Sequence, residues 1–147
     1  AEETVVEKDG AEETNEGAED AKPAVNENEQ KYLIMVAQAE IALSEGREME
    51  AEKKFLAAQE LKPGGFQAEF GHLRAGWRVE SARNGIAVRI RELAKRDLTA
   101  PQAYNIGLFV YSNMSDRDLT KELWTKAKEK DPAFAKRVDI DSLLSDL

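Results

Sequence analysis

From residue 30 onward, apolar positions recur in steps of three and four, the period of a helix that lies with one side against a core. The run YLIMVAQAEIAL (32–43) is rich in helix formers and stops at Ser44-Glu45-Gly46, where glycine stands just past the last turn. A second stripe lies within Met49–Leu61, formed by Ala51, Phe55, Ala58 and Leu61, and Pro63-Gly64-Gly65 ends it. The third predicted helix runs from Phe66 to Ser81 with Phe70, Leu73 and Trp77 on one face. Asn84-Gly85 predicts a turn, and Ile86–Arg96 a fourth helix through Ile90, Leu93 and Ala94. Pro101 suits the first turn of a fifth, which carries Tyr104, Ile106, Phe109 and Val110. Ser115 or Asp116 then caps a sixth that ends near Lys130. No segment sustains a two-residue alternation, so the expectation is an all-α fold without strands.

The stripe is repeated. Ala51, Ala87 and Thr120 are separated by 36 and 33 residues, and Ala58, Ala94 and Ala127 by the same 36 and 33. Two landmarks that keep one register point to a unit of helix pairs about 34 residues long, in which no pair buries its apolar face alone. Large aromatics and prolines keep the register in two of the copies: Ala51, Phe55, Ala58, Pro63 and Thr120, Trp124, Ala127, Pro132. The middle copy keeps Ala87 and Ala94 but has Arg91 and Thr99 at the other two positions, leaving Ile90 and Leu93 to fill its core. Among the first helices, Phe70, Leu73, Arg74 and Trp77 answer to Ala103, Ile106, Gly107 and Val110, and more weakly to Met35, Gln38, Ala39 and Ala42.

On these residues the chain resembles the tetratricopeptide repeat family over about 100 residues. The resemblance implies a right-handed superhelical stack of about three helix-turn-helix repeats, spanning residues 30–65, 66–100 and 101–133 of a repeat domain at 30–138. Residues 139–147 would close the stack as a capping helix with Ile140, Leu143, Leu144 and Leu147 on one side. In that family the first helices line a concave groove that holds a peptide from a partner. Carried over by register, the groove residues are Val36, Ala37, Glu40 and Leu43, then His72, Ala75, Arg78 and Val79, then Tyr104, Asn105, Leu108 and Tyr111. Asn105 stands where family members often hold a peptide backbone or terminal carboxylate, and Arg78 adds a cation suited to an acidic or carboxylate-terminated ligand. The same tyrosines and arginine also suit plain packing between helices and a solvated charge.

Composition narrows the classes of activity. Without cysteine and with a single histidine, His72, the chain can form no disulfide, no thiolate site and no multi-histidine metal site. A phosphate-cradling glycine loop and a nucleophile elbow are absent as well, so the expectation is a binding protein without cofactor or catalysis. No apolar run approaches the length of a membrane span, and the expected chain is soluble. It starts at Ala1 rather than methionine, which suits a mature or trimmed protein and slightly favours export.

The net charge of −8 is uneven. Residues 1–29 hold 11 Asp/Glu against 2 Lys, while the remainder is close to neutral. With almost no large apolar side chains, residues 1–29 are expected to be a disordered acidic tail. The middle copy is basic through Arg74, Arg78, Arg83, Arg89, Arg91, Lys95 and Arg96, without the interleaved aromatics expected of a nucleic-acid binder. The leading expectation is an adaptor that binds another protein's peptide in the groove. The alternative is a structural subunit that assembles into homo-oligomers through its acidic arm and its repeat ends, the arm seeking the basic patch.

Overall fold

The computed structural model describes residues 22–147, as eight α-helices with no strand among the described residues. Two compact units divide the chain, one ending at His72 and the other running Leu73–Leu147, with the boundary inside the third helix. The acidic segment expected to be a tail lies outside the described residues as far as position 21.

In the first unit, α1 (Lys22–Ser44) and α2 (Glu48–Leu61) form a helical hairpin. Its turn is a Schellman cap: Gly46 adopts φ +81°, the Arg47 N–H reaches the Ala42 carbonyl at 2.8 Å and the Gly46 N–H reaches Leu43 at 3.1 Å. Tyr32, Val36, Ala39 and Ala42 face Ala51, Phe55 and Ala58 in the core, so four alanines let the two backbones approach around two large rings. α1 starts inside the stretch that composition assigns to the tail. Once a helix is nucleated by an apolar run, adding polar residues to its end costs little, and the Glu29–Lys62 ion pair at 3.2 Å ties the extension down.

The next helix, α3 (Phe66–Gly76), enters this unit through Tyr32. The tyrosine hydroxyl accepts from the Ala68 N–H and donates to Gln67 Oε1, both at 3.1 Å, satisfying one of the orphan donors of the new helix. Further along, Phe55 lies against Gly71 so closely that a Cβ there would be 2.2 Å from the ring.

In the second unit α3 stops at Gly76, short of the predicted Ser81, and Asn84-Gly85 lie within the first turn of α4 (Arg83–Ala94) instead of between helices. Two interactions account for the early stop. Arg83 Nε donates to the Trp77 carbonyl at 2.7 Å with its guanidinium over the Trp77 ring, and a Cβ on Gly76 would stand 3.0 Å from Ile86. The chain therefore reverses over residues 77–82, through a short 3₁₀ turn at Glu80–Ala82.

α5 (Ala100–Phe109) and α6 (Arg117–Lys130) form a second hairpin. Ala103, Ile106 and Gly107 of the first, with Val110 just past its end, pack with Thr120, Leu123, Trp124 and Ala127 of the second. Threonine is tolerated at buried position 120 because its hydroxyl donates to the Asp116 carbonyl at 2.9 Å. Asp116 caps α6 through the Leu119 N–H at 3.0 Å.

Pro132 does more than end α6. With Asp131 capping at the Phe134 N–H, it opens a helix that the apolar spacing does not predict, α7 (Pro132–Arg137). The expected C-terminal helix is α8 (Ile140–Ser145), which packs on α6 and α7, fully burying Ile140 and half-burying Leu143 and Leu144.

Candidate functional site

α5 offers the best-defined exposed face among the sequence-derived groove residues. Its start is rigid: Thr99 and Gln102 form a reciprocal capping box, with Pro101 in the first turn. With alanine, isoleucine and glycine turned inward, the same helical spacing turns Pro101 and Asn105 outward, and half-exposes Leu108. Beyond Phe109 the helix widens into a π turn, Val110–Met114, which ends on Ser115 in the left-handed region at φ 54°. The extra residue in a π turn rotates every later side chain out of the α-helical register. Tyr111 and Ser112 are exposed there, and the Tyr111 ring lies 5.9 Å from the Trp124 ring.

Tyr104 is turned toward the packing. Its ring meets Phe134 edge-on at 5.5 Å, while its carbonyl accepts from Trp124 Nε1 at 3.2 Å. Of the residues of α5 and its π turn expected to line a groove, Asn105, Leu108 and Tyr111 remain accessible, and Tyr104 braces α5 against α7.

Arg78 is exposed but is not on a helix face. It lies past the end of α3, in the reversal that Arg83 and Trp77 organise, so the register that placed it in line with the helix does not apply; Val79 beside it is exposed too.

In the first unit the expected residues separate by depth. Val36 is 8% exposed and belongs to the core, Glu40 and Leu43 are half-buried, and Ala37 is exposed. Leu33, one turn before Ala37 and two before Glu40, is 47% exposed on the same side of α1 and is absent from the set that the repeat register selects. Its signal was available: a large apolar side chain seven residues before Glu40, off the core stripe. His72 Nε2 faces Glu52 Oε2 at 3.5 Å, and Ala75 is buried.

The basic residues of the middle copy do not make one surface. Arg83 is engaged with Trp77, and Arg74 is half-buried. Arg91 pairs with Asp116 at 3.4 Å, and together with Lys95 it lines a cleft whose other charged members are Asp118 and Glu122 of α6. Arg89 is exposed on another edge of α4, and Arg96 is exposed beyond the end of that helix. The positive charge that looked continuous along the sequence is divided by the helical repeat and partly answered by carboxylates of the same unit.

Asp97 is held below the usual carboxylate range by the hydrogen bond and charge of Lys130, 2.8 Å away, and Glu50 is lowered by its hydrogen bond to Arg47. Among the described residues no cluster of three or more His, Cys, Asp or Glu is placed to hold a metal ion, and no helix is long and apolar enough to cross a membrane. Compared with protein-family models, with curated proteins and with solved structures, the chain matches none.

Proposed function

We propose that this chain is a non-catalytic interaction module of the tetratricopeptide kind, which holds a peptide from a partner protein. The observation that carries the reading is the outward row on α5, Pro101, Asn105 and Leu108, on a helix pinned at its start by a capping box and on its other side by Trp124. An exposed side-chain amide beside an apolar residue on a rigid helix can take a peptide main chain by paired hydrogen bonds while the leucine holds a side chain. Binding sites built on rigid elements lose less entropy on association. Arg78, at the end of α3, supplies a cation for an acidic or carboxylate-terminated partner.

The test starts from a displayed library of peptides with free C-terminal carboxylates, selected on the full chain. Asn105→Ala combined with Arg78→Ala should abolish capture of the selected peptides while circular dichroism and mass by light scattering stay unchanged. Selection of peptides that bind the double variant equally well would overturn the reading.

A further inference from the structure

α1 carries a second stripe, on a side that the hairpin core does not use. Glu27, Lys31, Ile34, Gln38, Ile41 and Glu45 are all exposed and follow one another at steps of four, three, four, three and four. Such steps keep one face of a helix in line over several turns, as in a coiled-coil seam. Glu45 belongs to the stripe although α1 ends at Ser44, because its N–H still donates to the Ile41 carbonyl at 3.0 Å. Ile34 and Ile41 are 57% and 54% exposed, so covering them removes apolar surface from water.

The order of the charges names what can cover them. Gln38 stands midway, seven residues from Lys31 on one side and seven from Glu45 on the other. Turned end for end about Gln38, the stripe matches itself: Lys31 meets Glu45, Ile34 meets Ile41, and Gln38 meets Gln38. A twofold contact between identical chains has this property, residue i touching j while j touches i. A parallel pairing would instead set Lys31 against Lys31 and Glu45 against Glu45, like charges that oppose association.

The surroundings of the stripe suit the same arrangement. Beside Ile34 the seam between α1 and α2 opens into an apolar cleft of ≈ 370 Å³, lined by Lys31, Ile34, Met35, Ala57 and Leu61. Ile41 of a copy packed end for end comes to the mouth of this cleft, with Glu45 of that copy at Lys31. Gln38 Oε1 accepts from Lys54 Nζ at 3.3 Å, and the Gln38 amide N–H groups can donate across the axis. Glu45 is paired with Arg47 of its own chain, and a carboxylate has acceptor sites for an incoming lysine as well.

We propose that the outer face of α1 is a homodimer interface, in which a second copy of this chain packs antiparallel along Lys31, Ile34, Gln38, Ile41 and Glu45. The contact is separate from the α5 surface and leaves it free to hold a peptide.

Light scattering during size exclusion of the full chain, run over a dilution series, should give a mass that rises from one chain toward two with concentration. Lys31→Glu and Glu45→Lys should each weaken the dimer about tenfold, because the twofold axis places each reversal at two contacts. Mixed in equal amounts, the two variants should dimerise as tightly as the parent, since each reversed charge then faces its opposite. Ile41→Asp should remain a single chain. Circular dichroism should be unchanged in all of these variants, because the altered side chains are exposed. A mass of one chain at concentrations up to about 1 mM would overturn the proposal. So would single variants that dimerise like the parent, or a mixture no tighter than either variant alone, both of which would place the contact elsewhere.

Discussion

Gly107 and Trp124 meet so closely that a Cβ on Gly107 would lie 2.4 Å from the indole Nε1, the atom that donates to the Tyr104 carbonyl. Alanine here gains up to about 1 kcal/mol in helix propensity, but the indole is rigid and fully enclosed, and overpacking of that kind costs about 1–3 kcal/mol. The clash should win. Gly107→Ala is expected to lower the thermal midpoint by a few degrees and to shift tryptophan emission as the indole loses its hydrogen bond; an unchanged melting curve would show that α5 and α6 part without cost.

Tyr32 makes a parallel case in the first unit. Phenylalanine at this position keeps the ring and removes the acceptor of the buried Ala68 N–H. An unsatisfied buried donor costs about 1–3 kcal/mol. Tyr32→Phe should therefore destabilise by roughly that amount and speed hydrogen exchange at Ala68, whereas Gln67→Ala, which leaves that donor satisfied, should have a smaller effect.

At the start of α5, Thr99→Ala breaks the reciprocal cap with Gln102. Loss of such a cap is expected to cost about 0.5–2 kcal/mol. Chemical denaturation should show the lower midpoint with an unchanged slope. Thr99→Ser, which keeps the acceptor, should recover most of the loss.

Asp97 and Lys130 give a dependence on pH. The carboxyl is lowered in the folded chain, so the unfolded chain takes up its proton first; the pair's contribution is complete above the ordinary carboxylate range, starts to fall there, and is lost as pH drops on through the lower pKa of the folded carboxyl. Lys130→Met should be slightly less stable than the parent at about pH 6, and the two should converge only once the pH has fallen below the lowered pKa of the folded carboxyl. A gap that persists in acid would mean that the lysine acts through packing.

Asn105 should behave differently from all of these. Exposed substitutions usually change stability by less than about 0.5 kcal/mol, so Asn105→Ala is expected to melt with the parent and to differ only in peptide capture. A large fall in its midpoint would make it a structural residue.

The repeated stripe was readable because it depends on spacing alone. Ala51, Phe55 and Ala58, like Thr120, Trp124 and Ala127, are buried as the helical period requires, and Gly46 ends α1 in the left-handed conformation that its lack of a Cβ permits. The candidate site was readable less evenly. Asn105 and Leu108 are on the outward side of α5, but Tyr104 is committed to Phe134, a residue of the helix that Pro132 opens, and a proline can equally be read as a stop. Arg78 was misplaced because the end of α3 is set by Arg83 closing on the Trp77 carbonyl, six residues away through a turn no local propensity specifies.

By itself the sequence determined that the chain is helical, which positions face inward, and where most helices begin and end. Those properties come from periodicity, capping side chains and backbone preferences that act within a few residues. Only the tertiary structure decided which charges stand together and which ring covers which glycine. Arg91 meets Asp116 across 25 residues, and Phe55 fits Gly71 across sixteen, because contact energies between distant positions depend on how the helices close on one another, and spacing along the chain does not carry that information.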